Sequence, residues 1–587
     1  MKECRMRRII IRPPHCSRSV VLLVLAAIVW VDPTPGEAAV AAAAKAKPNV
    51  LLICVDDLKP LLGCYGEKQA HTPNIDRLAK RSVLFQRAYC NQAVCAPSRN
   101  ALMTGVRPTT MGIYDLGTNF RAAQSNAVTV SQYFIQHGYR AEALGKIFHV
   151  GHGNHEDPAS WSVPHFPVRS IFYLFPENHA KQGLTREEAL FANLTPERLP
   201  RGAAYEAADV PDDAYPDGKL AAEAIRRLQA AKERTDQPFF LAVGFVKPHL
   251  PFCAPKKYWD LYERNSFEVP TLREPPASAP SYAPSRWGEL RQYKGIPESG
   301  PLDDDTARAL IHGYYAATSY ADAQIGRVLD ELDRLGLAQN TIIVLWGDHG
   351  WHLGDHGMWC KHTNYEQANR IPLLITAPGV NRGGERTSSL AETVDIYPTL
   401  CELAGLPAPK VPQGIEGKSL VPVLRRPSRS VKEAIFHVYR RTRRGESQIL
   451  GRAVRTERYR LVEWKKPGAP ADTAEFELYD YREDPLETKN IATDEPGLVQ
   501  RLHALLQALP EAKPQLSPAD RNRPRPNRTA MFERRDADKD GKLTREEFLK
   551  GQPDPAEAPG RFLRFDANKD GELGRDEYIH MGNPPGR

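Results

Sequence analysis

Continuous apolar runs of strand length, each ending in polar residues, recur through the amino-terminal and central parts of the chain. Asn49 to Val55 is the first and leads into Asp56-Asp57. Pro238 to Val246 is the second, followed by Lys247-Pro248-His249; Thr341 to Trp346 is the third, followed by Gly347-Asp348-His349-Gly350; Pro372 to Pro378 is a fourth. Runs that are apolar at every position predict strands buried on both faces of a parallel sheet. Helical patterns alternate with them, at Thr72 to Ala79, Ser319 to Leu335 and Thr393 to Leu403. The alternation predicts an α/β sandwich around a central, mostly parallel sheet. Ligands of such sheets bind beyond the carboxyl ends of the strands. Asp56, Asp57, Lys247, His249, Asp348 and His349 are therefore expected to converge at one edge, although they are far apart in sequence.

From about residue 430 the pattern becomes alternating, at Arg452 to Arg455, Tyr459 to Trp464 and Glu475 to Asp480, as in antiparallel strands. Leu498 to Leu509 reads as a closing helix, and 511–528 as a Pro- and Arg-rich linker. Beyond it an internal repeat begins. Asp536, Asp538 and Asp540 are followed by Gly541 and Glu547, and Asp566, Asn568 and Asp570 by Gly571 and Glu577. Oxygen ligands at positions one, three and five, glycine at six and glutamate at twelve make an EF-hand calcium loop, and Lys542 and Glu572 complete the expected sets at position seven. Up to two Ca²⁺ ions are expected in this pair.

The chain of 587 residues is too long for one core. The expected division is a signal peptide at 1–44, a catalytic domain at 45–430, a smaller subdomain at 431–510, the linker, and a helical EF-hand pair at 529–587. The signal reading rests on Lys2, Arg5, Arg7 and Arg8, then the apolar run Val20 to Val31, then small residues to Ala44. It implies a secreted or periplasmic protein; an uncleaved membrane anchor is the alternative. No other segment has transmembrane length. The net charge of +7 lies partly in that leader, so nucleic acid is not an expected partner. Of nine cysteines, Cys54 and Cys401 read as buried thiols, while others offer a few disulfides.

Chemistry concentrates at Cys95-Ala96-Pro97-Ser98-Arg99. Pro97 suits the first turn of a helix, which puts Cys95 at an anion-favouring helix terminus with Arg99 one turn on. Asp56, Asp57 and Asp348 are hard oxygen donors suited to Ca²⁺ or Mg²⁺, with His349 the odd member.

The pentapeptide resembles the signature of type I sulfatases, in which the cysteine is oxidised to Cα-formylglycine. Val55-Asp56-Asp57-Leu58, Gly145-Lys146-Ile147-Phe148-His149, Lys247-Pro248-His249-Leu250-Pro251-Phe252 and the stretch Asp348 to Lys361 extend the likeness, which is nearest the iduronate-2-sulfatase branch. The resemblance implies an alkaline-phosphatase-like fold and one Ca²⁺ bound by Asp56, Asp57, Asp348, His349 and the modified Cys95. It also implies a sulfate cradle of Arg99, Lys146, His149, His249 and Lys361, a sulfated carbohydrate substrate, and a formylglycine-generating or anaerobic sulfatase-maturating enzyme as partner. Arg99, Lys146 and Lys361 are expected to clamp sulfate oxygens, His249 to protonate the leaving alcohol, and His149 to take a proton from the formylglycine diol. Residues 112–115 and 151–230 are expected to form the pocket rim, with Arg121, His152 and His155 as candidates for meeting a uronate. A phosphodiesterase or phosphonate monoester hydrolase on the same fold, and an inactive secreted calcium-binding matrix protein, are the rival readings.

Overall fold

A computed structural model describes residues 47–167, 173–178, 185–194, 199–442, 448–517, 528–550, 558–566 and 568–579. The expected signal peptide, Cys4 and Cys16 lie outside these residues.

The central sheet has eight strands. Thr341–Gly347, Asn49–Val55, Phe239–Phe245 and Arg140–Gly145 lie side by side and parallel. Their inner positions alternate between two cores. Val50, Leu52 and Cys54 pack with Leu102, Met103 and Leu400 on one face. Leu51, Ile53 and Val55 pack with Leu220, Leu228, Ile325 and Leu329 on the other. Helices thus cover both faces, which is why these strands have no polar side.

The fourth apolar run enters the sheet differently from its neighbours. Leu373–Thr376 pairs antiparallel with Thr341–Gly347, Leu374 opposite Leu345. Between these strands the longest helical segment is Glu366–Asn369, too short for the crossover that a parallel return needs. The helix expected over 319–335 spans Asp304–Arg334. It starts earlier because the Asp303 carboxylate accepts the Thr306 N–H at 2.8 Å, an N-cap ahead of an alanine-rich stretch. Helix Pro216–Glu233 and strand Ile435–Arg441 were not anticipated from the pattern.

The antiparallel sheet Ile435–Arg441, Ile449–Arg455, Tyr459–Lys465 and Glu475–Asp480 follows in sequential order. Helix Pro496–Gln507 covers it with Leu498, Leu502 and Leu506. The start of the expected linker packs instead of extending. Lys513 N–H donates to Thr109 O, and the Tyr114 hydroxyl to Lys513 O at 2.7 Å. Gly112 has φ +70°, and a Cβ there would stand 2.6 Å from Pro514 O, so this crossing requires glycine. Residues 112–114, expected at a pocket rim, are held under this segment; Ile113 and Tyr114 are buried.

In the carboxy-terminal repeat, Lys542–Thr544 pairs with Glu572–Gly574, Leu543 opposite Leu573. Phe532, Phe548, Phe562 and Tyr578 complete its core. All seven described cysteines, Cys54, Cys64, Cys90, Cys95, Cys253, Cys360 and Cys401, are free and buried, so the anticipated disulfides are not formed among them. Among the described residues no helix is long and apolar enough to cross a membrane.

Candidate active site

Register alone brings four strand ends to one edge. Val55 lies opposite both Phe245 and Gly347, and Gly145 opposite Gly244. The chain leaves those ends as Asp56-Asp57, Lys247 to His249, Asp348-His349 and Lys146 to His149. The packing is close: a Cβ on Gly244 would stand 2.2 Å from Lys146 O. Helix Cys95–Thr104 comes in from the side, its first residue meeting this edge. Ser98 Oγ, in the same turn, donates to the main-chain oxygen of Asp348.

Asp56, Asp57, Asp348, His349 and Arg99 are fully buried. Asp57 N–H donates to Asp348 Oδ1 at 2.9 Å. Cys95 Sγ is 3.3 Å from His349 Nε2 and 3.6 Å from Lys146 Nζ. One ligand atom from each of Asp56, Cys95, Asp348 and His349 can be chosen so that all lie within 4.8 Å of one another; the same holds for Asp56, Asp57, Cys95 and His249.

Arg99 occupies a different place from the one its motif suggested. Nε donates to Asp348 Oδ2 at 2.9 Å, Nη2 to Asp56 Oδ1 at 3.1 Å, and Nη1 to the main-chain oxygens of Lys146 and Ile147. The guanidinium lies beneath the carboxylates and orients them, so clamping sulfate is not its geometry. The lysines lie nearer the opening. Lys146 Nζ donates to Asp56. Lys361 Nζ is 3.1 Å from both Asp57 oxygens and lies over the Trp351 ring at 4.7 Å. His249 Nε2 is 3.9 Å from Asp57 Oδ2. His149 also departs from expectation: its Nε2 meets His152 Nδ1 at 3.1 Å, and its buried Nδ1 has no hydrogen-bond partner.

Charge is divided unevenly among the carboxylates. Burial pushes Asp56 up, but Lys146, His249 and Arg99 outweigh it and hold it well below the ordinary carboxylate value. Burial, then the charge of Asp56, raises Asp348 to about 7. Burial lowers His349 to about 4, leaving a neutral imidazole able to act as a ligand. Burial likewise raises the Cys95 thiol well above its usual value, so the unmodified side chain is a poor nucleophile. A divalent cation relieves the repulsion among three crowded carboxylates, and this donor set of hard oxygens with one imidazole fits such an ion.

Glu289 was missed. No motif surrounds it, and it lies in a Pro- and Ser-rich loop that the apolar pattern does not mark. Its Oε1 accepts from Lys361 Nζ at 2.8 Å and faces His249 Nε2 at 3.2 Å. Burial opposes its ionisation, but Lys361 and His249 hold the carboxyl well below its ordinary value. Two rim candidates go elsewhere: Arg121 pairs with Asp157 at 2.7 Å, and His155 lies near Asn193. His152 stays at the pocket through His149.

The EF-hand loops are near copies. Asp536 and Asp566 each accept two N–H groups of their own loop, from Asp540 and Gly541 and from Asp570 and Gly571. Glu547 folds back to Ala537 N–H, and Glu577 to Asn568 N–H. Carboxylate oxygens of Asp536, Asp538 and Asp540 lie within 4.8 Å of one another. The side chains of Lys542 and Glu572 pair at 2.7 Å, which leaves only their main-chain carbonyls as ligands.

A family model described as Sulfatase matches residues 48–406, one described as N-sulphoglucosamine sulphohydrolase, C-terminal, matches 354–513, and an EF hand model matches 529–550. Iduronate 2-sulfatase of Mus musculus is 40% identical over 394 residues, covering 62% of this chain and 69% of that one. Iduronate 2-sulfatase of Homo sapiens is 34% identical over 516 residues, covering 76% and 92%. Among solved structures, the phosphonate monoester hydrolase of Agrobacterium radiobacter superposes with TM-score 0.60 at 23% identity, covering 78% of this chain and 95% of that one, a likeness of fold.

Proposed function

The chain belongs to the sulfatase family and is a sulfuric ester hydrolase; from that premise we propose that it desulfates a sulfated carbohydrate, with Cys95 matured to formylglycine. The observation that carries this reading is the convergence of Asp56, Asp57, Cys95, His249, Asp348 and His349 at one sheet edge with two lysines above them. Asp56, Asp57, Asp348 and His349 would hold one Ca²⁺, whose charge polarises a bound sulfate and acidifies a neighbouring hydroxyl. The matured residue would supply that hydroxyl as a geminal diol.

The remaining work falls to side chains of known position. Arg99 fixes the two carboxylates it pairs with. Lys361 and Lys146 lie at 3% and 9% side-chain exposure, between the buried acids and solvent, and would neutralise the sulfate oxygens. His249, at the same depth as the lysines, would give a proton to the departing alcohol oxygen. His149 would accept the proton from the diol after rotating away from His152. The reading also includes an extracytoplasmic location, from the leader at 1–44, a maturating enzyme as partner, and up to two further Ca²⁺ ions in the EF-hand pair.

Rates on an aryl sulfate and on an aryl phosphate diester test it. Matured protein should favour the sulfate by orders of magnitude; equal or reversed rates would move the chain to the phosphohydrolase reading. Replacing His249 with Ala should cost more on a sugar sulfate than on an aryl sulfate, whose leaving group needs no proton; equal losses would remove that role.

A further inference from the structure

Side-chain exposure at the site rises in steps. Asp56, Asp57, Asp348, His349 and Arg99 form a fully buried floor. Lys361 and His249 come next at 3% and 6%, and Glu289 and His362 stand farther out at 22% each. An ester whose sulfate reaches Lys361 and His249 must lay its alcohol portion against Glu289. That contact is chemically pointed, because a carboxylate cannot bind sulfate and repels any second anion beside it.

The two oxygens of Glu289 have different surroundings. Oε1 is taken by Lys361 at 2.8 Å and His249 at 3.2 Å. Oε2 is buried with no hydrogen-bond partner, and the His362 imidazole, kept neutral by burial, has its Nε2 3.9 Å from the carboxylate oxygen. A buried acceptor left unmatched costs about 1–3 kcal/mol, so whatever fills this mouth is favoured if it brings a donor. On a sugar, the hydroxyl on the carbon next to the sulfated one sits within hydrogen-bonding distance of the ester oxygen. It is the group that meets a carboxylate already tied to the sulfate-binding lysine.

We propose that Glu289 is a specificity residue that accepts a hydrogen bond, through Oε2, from a free hydroxyl on the carbon adjoining the sulfate ester. The assignment rests on the sulfatase reading above and narrows its substrates to monosulfates with a neighbouring hydroxyl. It disfavours sugars with a second sulfate, or a carboxylate turned toward the same carbon. A uronate is accommodated only with its carboxylate directed away from Glu289.

The test uses matured full-length protein and three probes: 4-methylumbelliferyl sulfate, a methyl pyranoside monosulfate with the adjoining hydroxyl free, and its deoxy analogue. Wild-type kcat/KM should fall by about 10- to 100-fold from the hydroxylated sugar to the deoxy one, the size expected for losing one hydrogen bond to a charged acceptor. In Glu289→Gln and Glu289→Ala that ratio should shrink several-fold toward one. The ratio is internal to each protein, so partial misfolding does not mimic the effect. Wild-type protein that treats the two sugars alike, or variants that keep the wild-type ratio, would overturn the assignment while leaving sulfatase activity intact. Failure of matured wild type to cleave any probe would overturn the sulfatase reading and the assignment with it.

Discussion

Asp57 and Asp348 are hydrogen-bonded across 291 residues of chain and shut away from solvent, whereas Asp536, Asp538 and Asp540 are neighbours on one loop and two of the three are exposed. Both sets gather carboxylates, and both suit a hard cation. They differ in what holds them before any ion arrives. The buried set is countered by Arg99, Lys146 and Lys361, each from a different segment. The loop set is held by its own main-chain N–H groups. The first site is a product of the whole fold; the second is carried by a dozen consecutive residues. A change in the first should therefore spread, and a change in the second should stay local.

The sharpest break between them is expected from Cys95→Ala and Asp56→Ala. Sulfate-ester turnover should fall by about 10³-fold or more, because nucleophile and ion site fail together, while Ca²⁺ titration of the EF-hand pair stays as in wild type. Loss of tail binding in either variant would deny that the sites are independent. Next, Arg99→Ala leaves Asp56 and Asp348 without their shared partner at full burial. Stability should drop by about 3–5 kcal/mol in denaturant titration, since an uncompensated buried charge is costly; a loss under 1 kcal/mol would say the guanidinium is dispensable there.

The mirror experiment is Glu547→Gln with Glu577→Gln. Tail affinity for Ca²⁺ should weaken by more than about tenfold in calorimetry, with the effect confined to the tail. A parallel loss of turnover would tie the two regions together.

The smallest effect concerns a buried carboxylate behind the site. Asp217 accepts the N–H groups of Val246 and Lys247 at 3.0 and 2.8 Å, and burial raises it to about 6. Because the folded value lies above the ordinary carboxylate one, its contribution is complete below about pH 4 and is lost as pH rises through about 6. Relative to Asp217→Asn, wild type should lose about 2–3 kcal/mol between pH 4 and 7 in denaturant titrations. Parallel pH curves would remove that role.

The same contrast explains what was legible beforehand. The EF-hand loop residues could be placed at once, because loop spacing is itself the geometry. Asp56, His249 and Asp348 were readable one step less directly: a run apolar at every position announces a doubly covered strand, and its carboxyl end announces a site edge. The direction of Leu373–Thr376 was not readable, since it depends on the length of the helix in the preceding connection. Arg99 and His149 were found as residues but not in their contacts; a motif fixes sequence distance, not which carboxylates a guanidinium meets after packing. Glu289 had no sequence signal, because its pairing with Lys361 and His249 exists only once a loop lies across the mouth.

The most direct test of a fold-built desulfating site is sulfate release from 4-methylumbelliferyl sulfate by protein co-produced with a formylglycine-generating enzyme, read beside the mass of the peptide containing Cys95. Turnover should rise in proportion to the fraction of Cys95 that has exchanged sulfur for oxygen, and vanish in Cys95→Ala. Fully converted protein that releases no sulfate, or a Cys95→Ala variant as active as wild type, would contradict it.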